Sequence, residues 1–264
     1  MCLKPITIPV KRKGSDHFEP ITVNCGKCLE CVQMKSTEWA FRIVDECKLH
    51  KDNCFITLTY NDEHLPVGGT LVRRDLQLFV KRLRKHLEPQ KVRVFYCGEY
   101  GKKALRPHYH IIVFGWSPSD NFFYKRDKKG TDLFRSPTVE RLWTYGFSSV
   151  GAVTLDTAKY CAKYMQKFNV LPNGLAKPFI GMSNRNGIGY GAIDSQCLTS
   201  DSIYANGKRF KVPRYYLKVL ERDGHDLTSF IERRCLVGKL KENPLKLQQR
   251  REKAKIFLKN AKKR

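Results

Sequence analysis

Four short segments rich in β-branched and aromatic residues constrain the fold of this chain most strongly. Each is typical of a strand with a buried face: CFITLTY (54–60), KVRVFYCGEYG (91–101), HYHIIVFG (108–115) and FSSVGAVTL (147–155). Amphipathic segments between and after them predict helices at 73–89, 136–146 and 156–168. The order β-α-β-β-α-β, followed by one more helix, predicts an α+β fold with a central antiparallel sheet and helices packed on one face.

Composition along the chain predicts three parts. Residues 1–50 form an N-terminal segment with clustered cysteines and a helix, 51–195 form the core, and 196–264 form a C-terminal extension with a basic, largely helical tail. Residues 117–136 are polar and rich in Gly, Asp and Lys, which predicts a long exposed loop. The segment IYANGKRFKVPRYY (203–216) predicts a hairpin that turns at its Asn-Gly pair.

The charge balance indicates the class of partner. The chain has 50 Lys and Arg against 25 Asp and Glu, a formal net charge of +25. An excess of this size favours the phosphate backbone of nucleic acid. An anionic membrane is the competing partner, but no apolar run approaches the about 18 to 20 residues that a spanning helix needs. The N-terminal sequence lacks signal-peptide features, so we expect a protein of the reducing cytoplasm.

Two histidines stand at i and i+2 in RPHYHIIVFG (106–115). On a strand His108 and His110 share one face, while Tyr109 points to the other. If the loop that follows the preceding strand closes a hairpin, Glu99 comes opposite them. Two imidazoles and a carboxylate suit Mg²⁺ or Mn²⁺ beside a phosphate. The alternative is a strand edge with two partly exposed imidazoles and a solvated Glu99.

The segment KYCAKYMQK (159–167) contains the pattern Y-x-x-K twice. Tyr160 and Tyr164 lie one helical turn apart on one face, and Lys163 and Lys167 follow them by three residues each. An ammonium group favours the phenolate of a tyrosine and offsets charge on a phosphate under attack. Covalent attack would leave a phosphotyrosine and free a 3′-hydroxyl. The alternative is an amphipathic helix whose tyrosines only cover the sheet.

Basic side chains near these motifs are candidates for contact with DNA phosphates. Arg106 stands beside the histidines, and its guanidinium matches phosphate oxygens. The predicted helices supply the other candidates, Lys81, Arg84 and Lys159. We expect the basic tail to bind the backbone without reading sequence, the alternative being a tail that only increases solubility.

The run CGKCLEC places Cys25, Cys28 and Cys31 at the spacing C-x-x-C-x-x-C. The first pair has zinc-knuckle spacing, and the cluster favours a structural zinc site, with free buried thiols as the alternative. A tetrahedral site needs a fourth ligand, and spacing leaves Cys2, Cys47 and His50 as equal candidates.

Three of these motifs carry a family resemblance. FITLTY, GEYG…RPHYHIIVFG and YCAKYMQK, in this order, resemble the three motifs of the HUH (His-hydrophobic-His) endonucleases. Together with VNCGKCLECVQMKSTEWAFRI, they look like the replication initiation proteins of gokushovirus-type microviruses, which are small single-stranded DNA phages. The resemblance covers residues 20 to 190. It makes the predicted core, 51–195, a nicking domain of the HUH/ferredoxin-like type.

The resemblance implies an enzyme that cuts one strand at an origin, stays on the 5′ end and starts rolling-circle replication. It implies His108, His110 and Glu99 as metal ligands, Tyr160 or Tyr164 as the nucleophile and Lys163 as its assistant. It also implies single-stranded origin DNA, a host helicase and a host polymerase as partners in the bacterial cytoplasm. No membrane and no small-molecule cofactor are expected. A non-catalytic, zinc-stabilised nucleic-acid-binding protein and an HUH transposase or relaxase are the alternatives.

Overall fold

The computed structural model describes residues 2–11, 16–101, 104–127, 130–163, 174–194, 202–205, 208–240, 248–249 and 252. Two residues predicted for catalysis, Tyr164 and Lys167, lie outside the described residues, as does most of the basic tail. The chain divides into two compact units, one of Trp39–Ile193 and one of Met1–Glu38 with Asp194–Arg264.

Strands and helices follow the predicted order in most places. The strands are β1 (Ile6–Lys11), β2 (Phe18–Val23), β3 (Asn53–Tyr60), β4 (Arg93–Tyr100), β5 (Pro107–Phe114), β6 (Phe122–Arg126), β7 (Asp132–Arg135), β8 (Gly146–Gly151), β9 (Phe179–Met182), β10 (Ser202–Ala205) and β11 (Lys208–Lys211). The helices are α1 (Leu29–Lys48), α2 (Arg73–His86), α3 (Pro137–Leu142), α4 (Leu155–Lys163), α5 (Arg214–Arg222) and α6 (Thr228–Leu240).

A seven-stranded sheet forms the centre of the Trp39–Ile193 unit, with the strand order β6-β7-β8-β3-β5-β4-β9. Neighbouring strands pair antiparallel throughout. The predicted α+β class with a central antiparallel sheet is therefore confirmed. The predicted loop at 117–136 is wrong, because β6 and β7 form a hairpin there that extends the sheet at one edge. Aromatic residues at 122–124 give this polar segment the β propensity that its charge obscured.

One face of the sheet packs against α2 and α3. Ile56 and Leu58 of β3 and Ile111 and Val113 of β5 are buried there. The two helices contribute apolar side chains from their inner sides: Leu76, Phe79, Val80, Leu83, Val139 and Leu142. Trp143, just after α3, is also fully enclosed in this cluster.

The opposite face of the same sheet packs against α4 and the second half of α1. Ile112 and Phe114 of β5 lie in this second cluster, together with Ala40, Ile43, Phe95, Cys97, Ala158 and Cys161. Helices thus cover both faces, whereas the sequence predicted them on one. Adjacent apolar residues in HIIVF point to both faces of β5, which is typical of a strand that is covered on both sides.

The other unit, Met1–Glu38 with Asp194–Arg264, contains two separate hairpins. β1 pairs with β2, and β10 pairs with β11, so the hairpin that the sequence predicted in 203–216 forms. α5 and α6 follow in the chain, and the Arg234 guanidinium donates a hydrogen bond to the carbonyl of Val212. Among the described helices, none is long and apolar enough to cross a membrane.

Candidate active site

Strand register brings the predicted ligands to one end of the sheet. Glu99 of β4 lies directly across from His108 of β5, and His110 lies across from Cys97. The Nε2 atom of His110 is 2.9 Å from Oε1 of Glu99. Both side chains are almost fully buried, with Glu99 2% and His110 6% exposed. The hairpin predicted between the two strands therefore forms, and it places the carboxylate beside the histidines.

Two threonines of β3 hold the imidazoles from the far side. The Thr57 hydroxyl lies 3.0 Å from Nδ1 of His110, and the Thr59 hydroxyl lies 3.0 Å from Nδ1 of His108. Hydrogen bonds at Nδ1 orient each ring and leave Nε2 as the nitrogen that can face a ligand. These threonines were not among the predicted site residues, although their alternation in FITLTY already placed them on one face of a strand.

Tyr160 extends from α4 to the same carboxylate. Its hydroxyl donates a hydrogen bond of 2.6 Å to Oε1 of Glu99. Its ring stands edge-on to the His110 imidazole, with centroids 5.1 Å apart. Tyr160 remains 42% exposed, so part of its side chain faces solvent. A helix and two strands that are distant in sequence thus converge on one oxygen atom.

The start of α4 sets the position of Tyr160. The Thr154 hydroxyl accepts a hydrogen bond from the backbone N–H of Thr157, as an N-cap residue does. Asp156, the acidic residue nearest this cap, lies inside the first turn of the helix. Lys163 ends the helix, but its side chain lies outside the described part of the chain.

Burial and nearby charges keep one histidine neutral. Burial lowers the pKa of His108 below its ordinary value, His110 and Arg106 act in the same direction, and Glu99 opposes them. A neutral imidazole has a free nitrogen lone pair, which is the form that binds metals. Nε2 of His110 lies beside the buried Glu99 carboxylate, whereas Nε2 of His108 lies next to Gly101.

The predicted DNA-binding residues fall into two groups. Arg106 lies at the same end of the sheet as the histidines, where its guanidinium pairs with Asp62 and donates to the Tyr60 carbonyl. Lys159 immediately precedes Tyr160 on α4. Lys81 and Arg84 are exposed on α2, which covers the opposite face of the sheet, so they are not part of this site.

Tyr109, between the two histidines, points away from them as the strand alternation predicted. It is fully buried on the α2 side, and its hydroxyl lies 2.8 Å from that of Tyr60. The Tyr60 hydroxyl donates in turn to Asp75 of α2 at 2.6 Å. Burial, with these hydrogen bonds, raises the pKa of Tyr60 far above its ordinary value. These tyrosines therefore stabilise the core and have no access to a substrate.

A second group of potential ligands lies in the other unit, at the start of α1. Cys25, Cys28 and Cys31 come together as predicted, and Cys2 completes the group. The other two candidates for the fourth position lie elsewhere: Cys47 near the end of α1, and His50 beside Glu46 with 3.3 Å between Nε2 and Oε1. These four cysteines could hold a metal ion.

Comparisons with known proteins agree on one family. Residues 53–169 match the model of a family of replication-associated proteins of the ORF2 type. The chain is 31% identical over 238 residues to Replication-associated protein VP4 of Bdellovibrio phage phiMH2K, covering 81% of this chain and 75% of that protein. It is 33% identical over 263 residues to Replication-associated protein ORF2 of Spiroplasma virus 4, covering 85% and 82% respectively. No solved structure matches the chain significantly.

Proposed function

Since the chain belongs to the ORF2-type family of replication-associated proteins, we propose that it initiates the replication of phage DNA by nicking one strand at the origin. One observation carries the proposal beyond the family. The Tyr160 hydroxyl, the Glu99 carboxylate and the His110 imidazole meet within 2.6 to 2.9 Å around one carboxylate oxygen. A nucleophile, a proton acceptor and a nitrogen ligand are thus adjacent.

In the proposed reaction Glu99 takes the proton from the Tyr160 hydroxyl through the hydrogen bond that already joins them. The phenolate oxygen attacks the phosphorus of the scissile phosphodiester, and the bond between phosphorus and the 3′-oxygen breaks. The 3′-oxygen takes a proton from solvent and becomes the primer end. The 5′ side of the strand stays attached as a phosphotyrosine.

Glu99, His108 and His110 would hold a divalent cation, Mg²⁺ or Mn²⁺. When bound, such an ion draws negative charge from the phosphate oxygens and so favours attack. The hydrogen bonds from Thr57 and Thr59 keep the two rings oriented for this role. Arg106, at the same end of the sheet, would contact a neighbouring phosphate after leaving Asp62.

The remaining parts of the predicted mechanism extend this proposal. Tyr164 would serve as a second nucleophile that rejoins the displaced strand, with Lys163 and Lys167 stabilising the phenolates. Single-stranded origin DNA is the proposed substrate, in the cytoplasm of the bacterial host. The host helicase and polymerase would act on the freed 3′ end.

A covalent-adduct assay tests the proposal. The full-length protein is incubated with single strands that tile the phage origin, with Mn²⁺ or Mg²⁺, and analysed on a denaturing gel. We expect a protein–DNA adduct that depends on the metal, and Tyr160→Phe should lower its yield by about a thousandfold or more. Tyr96→Phe, which removes a hydroxyl on the other face of the sheet, is the matched control.

Tyr164→Phe, alone and together with Tyr160→Phe, decides which phenol is used. Adduct that persists in the double variant contradicts a tyrosine nucleophile. A wild-type protein that binds every strand without any adduct would instead support the non-catalytic alternative. An HUH transposase or relaxase would cut strands from a mobile element or plasmid in preference to the phage origin.

A further inference from the structure

The four cysteines near the N-terminus have a geometry that the catalytic site does not explain. Cys25 and Cys28 lie between β2 and α1, and Cys31 lies in the first turn of α1. Cys2 joins them from before β1, and the four sulfur atoms lie within 4.8 Å of one another. A chain segment of more than twenty residues therefore starts and ends at one cluster of thiols.

The distances between the sulfur atoms match a single tetrahedral ion. The Sγ atoms of Cys2 and Cys28 are 3.8 Å apart, and those of Cys25 and Cys31 are 4.0 Å apart. Zinc–sulfur bonds of about 2.3 Å in a tetrahedron separate the sulfurs by about 3.8 Å. A disulfide would need about 2.05 Å, and all four residues are free cysteines.

Backbone amides point at the sulfur atoms as well. The N–H of Leu3 donates to Cys28 at 3.4 Å, the N–H of Cys25 to Cys2 at 3.2 Å, and the N–H of Cys28 to Cys25 at 3.3 Å. Hydrogen bonds of this kind stabilise negative charge on sulfur and fix the direction of a thiolate ligand. The local backbone thus directs three N–H groups at the cysteine sulfur atoms.

We propose that Cys2, Cys25, Cys28 and Cys31 bind one structural Zn²⁺, with Cys2 as the fourth ligand. Four protein ligands leave no open position, which is typical of structural zinc sites and separates this metal from the one proposed for catalysis. The ion closes the chain between residues 2 and 31 and holds both ends of the β1–β2 hairpin to the start of α1.

Metal analysis of the purified full-length protein tests the proposal. We expect one zinc per chain after exhaustive dialysis, and a loss of about tenfold or more in zinc affinity for Cys2→Ser. Cys47→Ser, which removes a thiol outside the cluster, should keep its zinc. Zinc retained at wild-type affinity by Cys2→Ser overturns the role of Cys2, and iron as the bound metal overturns the choice of ion.

Thiol labelling of the wild-type protein gives an independent readout that does not depend on the folding of a variant. A strong zinc chelator should expose four more thiols to an alkylating reagent, and mass spectrometry should locate them at residues 2, 25, 28 and 31. Labelling of these four cysteines at equal rates with and without chelator contradicts the site.

A second surface is suggested by the edge strand β6. All five residues of this strand, Phe122 to Arg126, are exposed, and three successive ones are aromatic. Phe123 is 59% and Tyr124 47% exposed, and the ammonium group of Lys125 lies 4.8 Å from the Tyr124 ring centroid. Exposed aromatic rings among cationic side chains are the combination on which bases of single-stranded DNA stack.

We infer that β6 binds a single-stranded part of the DNA at the sheet edge away from the candidate catalytic groups, an inference that rests on the proposed nicking function. The net charge of +25 argues for an anionic strand as the occupant rather than a second, equally basic copy of this chain. Stacking on Phe122, Phe123 and Tyr124 would hold unpaired bases, and Lys125 would contact their phosphates. Arg126 would do so after leaving Asp132, which lies 2.6 Å from its guanidinium.

Binding measured by fluorescence anisotropy separates this inference from the nicking proposal. Phe123→Ala and Tyr124→Ala should each weaken binding of an oligothymidine strand by about fivefold or more, and duplex binding by much less. Phe18→Ala, at an equally exposed phenylalanine of β2, is the control. Unchanged affinity for the oligothymidine in both β6 variants overturns the inference even if the wild type nicks DNA. A change in oligomeric state that accounts for the weaker DNA binding of the variants overturns it as well.

Discussion

At the scale of single residues, the candidate site depends on one oxygen atom. Oε1 of Glu99 accepts the hydrogen bond from Tyr160 and lies beside Nε2 of His110. The carboxylate is buried, so its position is determined by β4 and by the helix above it rather than by solvent. Small displacements of α4 or β4 would therefore separate the proposed nucleophile from its proposed proton acceptor, and catalysis is sensitive to such displacements.

The threonines of β3 are expected to tune metal affinity. Thr57→Val and Thr59→Val keep the shape of the side chain and remove the hydroxyl that contacts Nδ1. Each should lower the affinity for Mn²⁺ by about 10- to 100-fold, because the imidazole loses its orientation. Isothermal titration measures the affinity, and Thr22→Val in β2 is the control. Equal affinities in all variants would mean that β3 does not orient the ligands.

Strand alternation allowed the position of the two histidines, though not their hydrogen-bond partners on β3, to be predicted from the sequence. His108 and His110 share a face because they are two residues apart, and a short hairpin loop brings Glu99 opposite. Thr57 and Thr59 could not be assigned, because nothing local indicates that β3 pairs with β5 or in which register. Cys2 stayed one of three candidates for the fourth position for a similar reason, since it is 23 residues from the next cysteine of the cluster.

At the scale of elements, a buried hydroxyl and a carboxylate fix the start of α3. Ser136 accepts from the N–H of Val139, and its hydroxyl donates to Asp120, which also accepts from the N–H of Thr138 at 2.8 Å. Burial alone would raise the pKa of Asp120, but the hydrogen bonds from Ser136 and Thr138 outweigh it and lower the pKa. The ionised form of Asp120 therefore stabilises the fold.

Asp120→Asn should lower the free energy of unfolding by about 1 kcal/mol at pH 7. A carboxyl with a lowered folded-state pKa stabilises the fold above its unfolded pKa of about 3.9, and this contribution is lost as the pH falls through the folded value. The difference in the free energy of unfolding between the wild type and Asp120→Asn should thus shrink below about pH 4. Urea denaturation across this range measures it, with exposed Asp16→Asn as control. A difference that grows towards acid would contradict the assignment.

A glycine at the start of β8 allows close strand pairing. Gly146 pairs with Tyr60 at a φ of +151°, and a Cβ atom there would overlap the backbone of Thr59 and Asn61. Gly146→Ala should therefore cost at least about 2 kcal/mol of stability. Thermal denaturation checks this against Gly130→Ala, where φ is +82° but no atom lies within 4 Å of the added carbon. Equal losses would mean that backbone strain alone, without overlap, sets the cost.

Element order was easier to predict than element packing. The four strong strands and the helices between them were predicted because each has a clear period and clear ends. The hairpin β6–β7 was not, because its charged and glycine residues mask a five-residue strand. Helices on both faces were missed although the apolar run of β5, which lacks polar alternation, is typical of a strand that is covered on both sides.

At the scale of the whole molecule, charge should govern affinity for DNA. Residues 241–264 contain ten Lys and Arg against two Glu, which is +8 of the total +25. Truncation after Leu240 should weaken binding to all DNA sequences alike and flatten the dependence of log affinity on log salt, because fewer counterions are released. Anisotropy titrations at several salt concentrations measure both effects. A selective loss for origin sequence would instead assign base recognition to the tail.

The position of β6 in the strand order has a consequence for how such proteins diversify. β7 and β8 separate β6 from β3, and the candidate catalytic groups lie on β3, β4, β5 and α4. Substitutions at the sheet edge can therefore accumulate without disturbing the residues that carry the chemistry. A viral lineage could vary the DNA contacts proposed for this hairpin, and an engineer could exchange it between relatives, while the proposed cutting site is inherited unchanged.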